Sequence, residues 1–444
     1  MNVPLGCGSI GVALPDCEVT VAEPPGGDAV DVRAAAQRAL EEPLGSPLEE
    51  RIDAGDDVAI VVTDLTREVP DDVLLNVLLE RLADLGVARE RVTVVVGLGL
   101  HRPMTDAELE SMLGPHADLA VNHDPESTVE IGTVGRGEAY GVRESQDESR
   151  SPSEVKRSSA DASDDASGTA AGDGVPVEIG LPVANADTVL STGVVEPHQY
   201  AGFSGGAKTV VIGAGGESLI RHTHGPETLA REGVRLGRLE GNPFRELLDE
   251  AGDLVGIDFS LNLTHGPTGV LGVRAGDGRR IVRELATVAR DARSVPVERE
   301  YDAVVCGVGA PKDANLYQAT RGATYVALGD RNPLRKGGKL VVPAALPEGA
   351  GEGTGERRFY RRLRNADDPE SLYDDLREGY EPGAQRAFVV ARVLRERDLV
   401  VTNSRAPGVV EECLMRAADD VRDAIEPGSD VLVVPDALNT LLVA

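Results

Sequence analysis

Several features are scarce or missing in this chain of 444 residues, and each absence narrows what the protein can be. No run of about 18 apolar residues occurs, so the sequence predicts no membrane-spanning helix. The N-terminus, Met1-Asn-Val-Pro-Leu-Gly, lacks a basic segment followed by an apolar one, so we expect a cytoplasmic protein and not a secreted one. The four cysteines form no C-x-x-C pair, and with that location no disulfides are expected (Cys7, Cys17, Cys306 and Cys413).

Positive charge is also scarce. There are 75 acidic and 45 basic residues, which gives a net charge of −30. Only five of the basic residues are lysines: Lys156, Lys208, Lys312, Lys336 and Lys339. An acidic surface poor in lysine resembles the proteins of halophilic organisms, in which a Debye length of about 3 Å near 1 M salt suppresses self-repulsion. An acidic partner-binding protein is the alternative. Nucleic-acid binding is not expected, because phosphate contacts need clustered basic residues.

What the sequence does contain is an alternation of short β-branched runs with helical patterns, which predicts an α/β fold. Residues 58–63 and 92–97 read as buried strands, with an amphipathic helix between them at 71–85. Two further short runs, 187–191 and 209–212, are predicted as strands that flank a glycine-rich segment.

We predict two α/β domains, an N-terminal one over 1–297 and a C-terminal one over 298–444, with the active site in the cleft between them. Residues 301–306 open the second domain as a strand that carries Cys306. The segment 143–174 is rich in Ser, Asp and Ala and reads as a disordered insertion. The segment 347–356 reads as a mobile surface loop.

Polar residues follow two of the predicted strands directly. Asp64-Leu-Thr-Arg67 comes after the strand at 58–63, and Gly97-Leu-Gly-Leu-His101 forms the exit of the strand at 92–97. Open α/β sheets bind ligands at the carboxyl ends of their strands. There Arg67 could form a bidentate pair with a carboxylate, and His101 could act as a general base. The alternative for the first motif is a salt bridge within the loop.

The densest motif is the segment Glu196-Pro-His198-Gln-Tyr-Ala-Gly-Phe-Ser-Gly-Gly-Ala-Lys208. It is similar to a phosphate-binding loop, but Ala207 stands where the pattern G-x-x-x-x-G-K-[ST] requires glycine. In a chain with so little lysine, Lys208 suggests a role for an amine, as a point charge or as a nucleophile that forms a covalent link. A nucleotide-binding protein that uses 202–208 as a phosphate loop stays open, as does a structural glycine-rich turn.

The histidines that follow this motif in the sequence give weaker evidence for a functional site. His222 and His224 would share a face on an extended segment and diverge on a helix. A zinc hydrolase built on them lacks a clear third ligand. The remaining histidines have no supporting residues and are expected to be structural or at the surface (His116, His123 and His265).

A last polar segment, Ala310-Pro-Lys-Asp-Ala-Asn-Leu-Tyr317-Gln318-Ala-Thr-Arg321, follows the strand at 301–306. It is either a loop that lines the cleft or a helix-capping segment in which Asp313 and Asn315 act.

Taken together, the motifs resemble those of the nickel-dependent lactate racemase family. The matches are D-x-T-R at 64–67, G-x-H-R at 99–102, E-P-H-x-x-A-G-F-S-G-G-x-K at 196–208, His224, G-N-P at 241–243 and G-x-P-K-D-x-N-L-Y-Q at 309–318. They extend over nearly the whole chain, and the third is long and specific. The resemblance implies an isomerase that racemises or epimerises a 2-hydroxy acid, with lactate as the default substrate.

The resemblance also implies a cofactor, the nickel-pincer nucleotide (pyridinium-3,5-bisthiocarboxylic acid mononucleotide), which holds nickel through one carbon and two sulfurs. Cofactor-synthesis enzymes would be functional partners. Lys208 would be linked covalently to the cofactor and His224 would be a ligand of nickel, with Asp64, Gly205 and Gly206 as further contacts.

The implied reaction removes a hydride from the substrate α-carbon, which gives a 2-keto acid, and returns the hydride to the other face. Inversion moves the hydroxyl group, so each enantiomer needs its own base within about 3 Å. His101 and His198 are the residues that the resemblance assigns to this task. The substrate-binding residues it implies are Arg67, Tyr317, Gln318 and Arg321.

Two departures leave the substrate open. Arg321 stands where the compared racemases have lysine, which could favour a second carboxylate or reflect the general loss of lysine, and the chain has no tryptophan. A larger 2-hydroxy acid or a sugar acid is therefore an alternative to lactate. A non-catalytic relative is a further alternative, which the complete set of His101, His198, Lys208 and His224 disfavours. The sequence predicts no oligomeric state.

Overall fold

A computed structural model describes residues 1–135, 174–379, 381 and 383–444 of the chain. The fold is α/β, as predicted, and its two main sheets have six strands each. The strands are β1 (Asn2–Leu5), β2 (Gly8–Gly11), β3 (Glu18–Val21), β4 (Val58–Thr63), β5 (Val92–Gly97), β6 (Ala120–Asn122), β7 (Thr128–Val134), β8 (Val175–Gly180), β9 (Thr188–Val194), β10 (Pro197–His198), β11 (Gly202–Phe203), β12 (Phe259–Gly266), β13 (Gly269–Gly276), β14 (Ser294–Pro296), β15 (Tyr301–Cys306), β16 (Leu334–Pro343), β17 (Asp398–Thr402), β18 (Arg416–Ala418), β19 (Asp430–Val434) and β20 (Leu441–Val443).

The helices fill the connections between these strands. They are α1 (Val32–Glu41), α2 (Asp71–Asp84), α3 (Asp106–Leu113), α4 (Leu181–Ala184), α5 (Ala207–Val211), α6 (Glu217–Thr223), α7 (Pro226–Leu229), α8 (Pro243–Val255), α9 (Gly278–Arg293), α10 (Leu316–Ala327), α11 (Thr354–Arg364), α12 (Pro369–Glu378), α13 (Gln385–Leu394), α14 (Pro407–Glu411) and α15 (Val421–Ala424). Short 3-10 turns lie at Leu48–Glu50, Arg89–Arg91 and Gly114–Leu119.

The first sheet has the strand order β13-β12-β9-β4-β5-β6. All of its neighbouring strands pair in parallel except β12 and β13, which are antiparallel. The first five residues of β4 and all of β9 are buried, as expected for central strands covered by helices on both faces. The order reverses between β4 and β9. Loops that leave such a switch point diverge and open a crevice for a ligand.

The second sheet is parallel throughout, with the order β18-β17-β16-β15-β19-β3. Its edge strand β3 comes from the N-terminus of the chain, so residues 18–21 belong to the sheet that 301–434 otherwise supply. The predicted boundary at 297 falls between β14 and β15. Cys306 is buried in β15, as the sequence indicated, and all four cysteines are free.

One local prediction was wrong. The β-branched run 209–212 does not form a strand, because positive φ angles at Gly205 and Gly206 turn the chain into helix α5. Val210 and Val211 of that helix pack into two different apolar clusters, so tertiary packing overrides the β propensity of the run.

Residues 347–353 form an irregular and partly exposed connection, as the sequence predicted, whereas 354–356 begin helix α11. The backbone N–H of Leu316 donates to the carbonyl of Gly349, and the Asn315 side chain donates to Glu348 and Glu356. This segment therefore packs on α10 and leads into α11. Apart from Gly174, the predicted insertion at 143–174 lies outside the described residues. No helix in the described ranges combines the length and the apolar character needed to cross a bilayer.

Candidate active site

A cavity of about 590 Å³ lies where the carboxyl ends of β4, β5 and β9 face α10, α11 and α13. Every site residue predicted from the sequence lines this cavity except Gly206, which adjoins it. Residues separated by up to 257 positions are thus brought together, from Asp64 to Arg321. The cavity has a deep part around α5 and α6 and an outer part at the ends of β4 and β5.

In the outer part, His101 and Asp64 form a hydrogen-bonded pair. The His101 Nδ1 atom lies 2.6 Å from Asp64 Oδ2, while the hydroxyl and the backbone N–H of Thr66 donate to the other carboxylate oxygen. Burial would raise the pKa of Asp64, but the hydrogen bonds from His101 and Thr66 outweigh burial and lower this pKa. The charged carboxylate therefore holds Nδ1–H of His101. This leaves Nε2, on a side chain that is 62% exposed, as the basic atom.

Arg67 does not pair with Asp64. Its Nη1 donates to Glu196 Oε1 at 2.8 Å, which joins the loop after β4 to the loop after β9. A salt bridge within the loop, the alternative considered above, is thus not formed. Both side chains are about one-third exposed to the cavity (32% and 30%), so the remaining guanidinium donors of Arg67 can reach a ligand.

His198 has the opposite hydrogen-bonding pattern to His101. Its Nδ1 atom accepts from the backbone N–H groups of Tyr200 and Ala201 at 3.3 and 3.1 Å. A ring that accepts at Nδ1 carries its proton on Nε2, so His198 presents a donor. Burial, and then the positive charges of Lys208 and Arg67, lower the pKa of His198 well below its ordinary value.

Lys208 lies in the deep part, on α5. Burial lowers the pKa of its amine to about 7, with the nearby Arg67 and Arg245 charges acting in the same direction. A lysine with this pKa is largely neutral at slightly alkaline pH, and a neutral amine is the nucleophilic form.

His224, the residue that caps α6, also faces this cavity. Its Nδ1 donates to the carbonyl of Ile220 at 3.1 Å, which leaves the lone pair of Nε2 free to coordinate. Burial and the Lys208 charge lower the pKa of His224 to about 4, so its ring is neutral at physiological pH. His222 is exposed and does not line the cavity, so the two imidazoles diverge and give no pair for a zinc site.

The two glycines before α5 are required by packing. A Cβ on Gly205 would meet Val195 at 2.6 Å, and one on Gly206 would meet Val282 at 2.8 Å. The backbone N–H of Gly206 donates to Asn262. Gly205 lines the cavity, whereas Gly206 packs against the protein, and its role as a cofactor contact stays a prediction.

The C-terminal domain supplies the opposite wall. Tyr317, Gln318 and Arg321 lie on the first two turns of α10. Both interpretations of this segment hold, because Asn315 caps the helix by accepting from Gln318 N, while the residues after it line the cavity. Asp313 instead accepts from Gly6 and Ala345.

Arg386, which was not predicted from the sequence, is only 3% exposed and lines the same wall. Its guanidinium donates to Gln199 Oε1, to the Thr320 and Thr324 hydroxyls and to the carbonyl of Tyr317. These acceptors are all neutral. The only signal in the sequence is an arginine at the start of the apolar run 387–391. The start of α11, where Thr354 and Glu356 line the cavity, was not predicted from the sequence either.

The three histidines expected to have no function lie outside this cavity. His116 and His123 are buried, and His123 Nε2 contacts the carbonyl of Gly215 at 2.9 Å. His265 contacts the carbonyl of Glu68.

The chain is similar to known proteins over most of its length. The model of the lactate racemase N-terminal domain matches residues 5–151 and 154–237, and that of the lactate racemase C-terminal domain matches 298–441. A lactate racemase from Lactiplantibacillus plantarum is 26% identical over 426 residues, covering 91% of this chain and 90% of that protein. One from Thermoanaerobacterium thermosaccharolyticum is 25% identical over 434 residues, with 91% and 89% covered.

Solved structures share the fold. The lactate racemase apoprotein from T. thermosaccharolyticum superposes with a TM-score of 0.80 at 23% identity, covering 99% of both chains. A protein from Thermotoga maritima gives a TM-score of 0.66 at 16% identity, covering 95% of this chain and 99% of the other. Because the two domain models together match most of its length, the chain belongs to the lactate racemase family and is an isomerase.

Proposed function

We propose that this isomerase racemises a 2-hydroxy acid, with lactate as the first candidate, and that it uses a nickel-pincer nucleotide. The observation that carries the proposal is the convergence of His101, His198, Lys208 and His224 in one cavity. The cavity contains an amine whose pKa is lowered to about 7, a neutral imidazole with a free lone pair, and two further imidazoles with different hydrogen-bonding patterns.

The residues of the cavity fit such a cofactor. Among the residues described, no group of three or more His, Cys, Asp or Glu side chains could hold a metal ion. A nickel ion next to His224 would therefore take its other donors from the cofactor, and imidazole with soft sulfur donors suits nickel. Three buried polar atoms on the cavity wall have no hydrogen-bond partner in the described part of the chain: Thr63 Oγ1, Gln199 Nε2 and Gln318 Oε1. A polar ligand would satisfy them.

When bound, the cofactor would supply the acceptor and donor of the substrate hydride. Lys208 would anchor it through a covalent link, which the lowered amine pKa favours. His224 would hold the metal through Nε2, with the ring fixed by the carbonyl of Ile220.

His101 and His198 would handle the hydroxyl proton. His101, whose Nε2 is free and whose charge Asp64 would stabilise, can accept this proton. His198 can donate a hydrogen bond from Nε2 to the oxygen atom. Arg67 on the outer side and Arg321 on α10 would hold the substrate carboxylate.

The experiment combines a chiral assay with mass spectrometry. Protein produced together with the cofactor-synthesis enzymes should convert each lactate enantiomer to the racemate and carry a nickel-containing adduct on the peptide with Lys208. The variant Lys208→Ala should lose both, while Lys336→Ala, at an exposed position, should lose neither. A fully active protein without adduct or nickel contradicts the cofactor. A loaded protein that leaves lactate unchanged but racemises another 2-hydroxy acid corrects the substrate.

The acidic composition supports a further part of the proposal, function in a cytoplasm of high salt concentration. Activity should then rise between about 0.1 and 1 M KCl, where the Debye length falls from about 10 to about 3 Å.

A further inference from the structure

A second cavity, of about 460 Å³, lies outside the active site at the junction of the two domains. Its walls come from residues 235–240, the outer face of α9, the end of α10 and strand β20. Four arginines and two acidic residues line it, which leaves an excess of two positive charges in a chain whose net charge is −30. The arginines are Arg235, Arg238, Arg283 and Arg290.

The guanidinium groups are only partly neutralised by the protein. Arg235 lies 3.4 Å from Asp330, but its buried Nε has no hydrogen-bond partner among the described residues. Arg238 donates to the carbonyl of Glu240, and Arg290 to the carbonyl of Gly237, so both use neutral acceptors. In the described part of the chain, Arg283 forms no ion pair, and it is exposed on α9.

We propose that this cavity binds a small organic phosphate. Arginine matches phosphate oxygens through two parallel N–H donors, and a phosphate monoester carries a charge of about −1.5 to −2 at pH 7, which matches the excess charge of the walls. The volume lies within the range of about 300–1,000 Å³ that is typical of small-molecule sites. Leu236, Leu239 and Leu441 offer apolar contacts to the organic part.

The proposed phosphate site contacts the segment 196–208, which carries His198 and Lys208. The backbone N–H of Gly237 donates to the carbonyl of Gly202, and the guanidinium of Arg290 lies 5.0 Å from the ring centre of Phe203. A Cβ on Gly202 would lie 1.8 Å from the carbonyl oxygen of Arg238, so the two segments are in direct contact. Tyr325 lines both cavities. A ligand that fixes Arg238 and Arg290 should therefore restrain the loop that carries His198 and Lys208.

Calorimetric titration of the full-length chain with phenyl phosphate and with benzoate tests the binding site. These probes share an aromatic ring and differ in the anionic group. Phenyl phosphate should bind saturably and more tightly than benzoate. The variant Arg283→Gln should weaken binding at least tenfold, since it removes a charged hydrogen-bond donor to the phosphate. The control Arg280→Gln removes an exposed charge from the same helix outside the cavity and should bind like the unchanged chain.

Three results would overturn the site: no saturable binding, equal binding of the two probes, or equal loss in both α9 variants. The active site is itself cationic, so Arg321→Gln is included. Loss of phenyl phosphate binding in Arg321→Gln but not in Arg283→Gln would place the ligand in the active site and refute the proposal.

Hydrogen–deuterium exchange tests the connection to the loop. Phenyl phosphate, at a concentration just sufficient to saturate the unchanged chain, should slow amide exchange in peptides covering 196–208. At the same concentration the effect should be much smaller in Arg283→Gln, which binds the ligand at least tenfold more weakly. Binding without any change in this segment would refute the coupling. Both measurements use the chain without cofactor, so their failure leaves the racemase proposal untouched.

Discussion

The outer and the deep parts of the active site each contain histidine and a basic side chain, but they differ in burial and in ion pairing. In the outer part, His101 and Arg67 are paired with carboxylates and partly exposed. In the deep part, no carboxylate of the described residues forms an ion pair with His198, Lys208 or His224, and burial lowers the pKa of each. Positive charge on a side chain is thus stabilised in the outer part and destabilised in the deep part, near α5. A site divided in this way can hold a neutral nucleophile and a neutral ligand a short distance from a general base.

The largest effects are expected from the two histidines. His101→Gln and His198→Gln should each reduce racemisation about 10²- to 10⁴-fold, the usual contribution of general acid–base catalysis. Thermal unfolding should separate them. His101 is mostly exposed, so its variant should melt like the unchanged chain, whereas the ring of His198 contacts Tyr200 and Phe244 and its loss should lower Tm by several degrees. Equal Tm values would contradict the difference in environment.

A smaller loss is expected for Asp64→Asn. The variant retains the size of the side chain but removes the charge that holds His101 Nδ1–H and would stabilise the protonated ring. We expect kcat to fall about 10- to 100-fold with little change in KM, measured with both enantiomers. Asp118→Asn, which alters an exposed ion pair with Arg89, is the control and should be fully active. A change in KM alone would argue against orientation of His101.

Acetylation of Lys208 in the chain without cofactor should show the lowered pKa directly. Between pH 8 and pH 6 the neutral fraction of an amine with a pKa of about 7 falls about tenfold, whereas that of an ordinary lysine falls about a hundredfold. Acetic anhydride followed by peptide mass spectrometry measures the rate, with exposed Lys336 as the internal reference. A hundredfold fall at Lys208 would show that burial and the neighbouring positive charges do not lower the pKa of its amine.

The smallest expected effect is a spectroscopic difference that reports which nitrogen of each imidazole ring carries the proton. In ¹⁵N spectra of histidine-labelled chain, His198 should show the neutral form with the proton on Nε2 and should stay neutral when the pH is lowered to about 5.5, because burial lowers its pKa. The variant His198→Gln assigns the resonance. A doubly protonated ring at that pH, or a proton on Nδ1, would remove the distinction between the two histidines.

Much of this site could be predicted from the sequence because its residues come in short motifs at strand ends. Asp64, His101 and Lys208 lie within four residues of the predicted segments 58–63, 92–97 and 209–212, and the first two of these segments are strands. The prediction of a strand at 209–212 was wrong, because the β propensity of four residues could not reveal the turn at Gly205 and Gly206 or the packing of Val210.

The sequence by itself determined the α/β class, the central strands and the chemical groups available, because hydrophobic periodicity and motif spacing are local properties. Only the tertiary structure decided which groups meet. It paired Arg67 with Glu196, brought Arg386 and the start of α11 to the cavity wall, and joined strand β3 to the second sheet. These contacts connect residues far apart in the chain, and burial at the contact, not residue type, sets the charge state of His198 and Lys208.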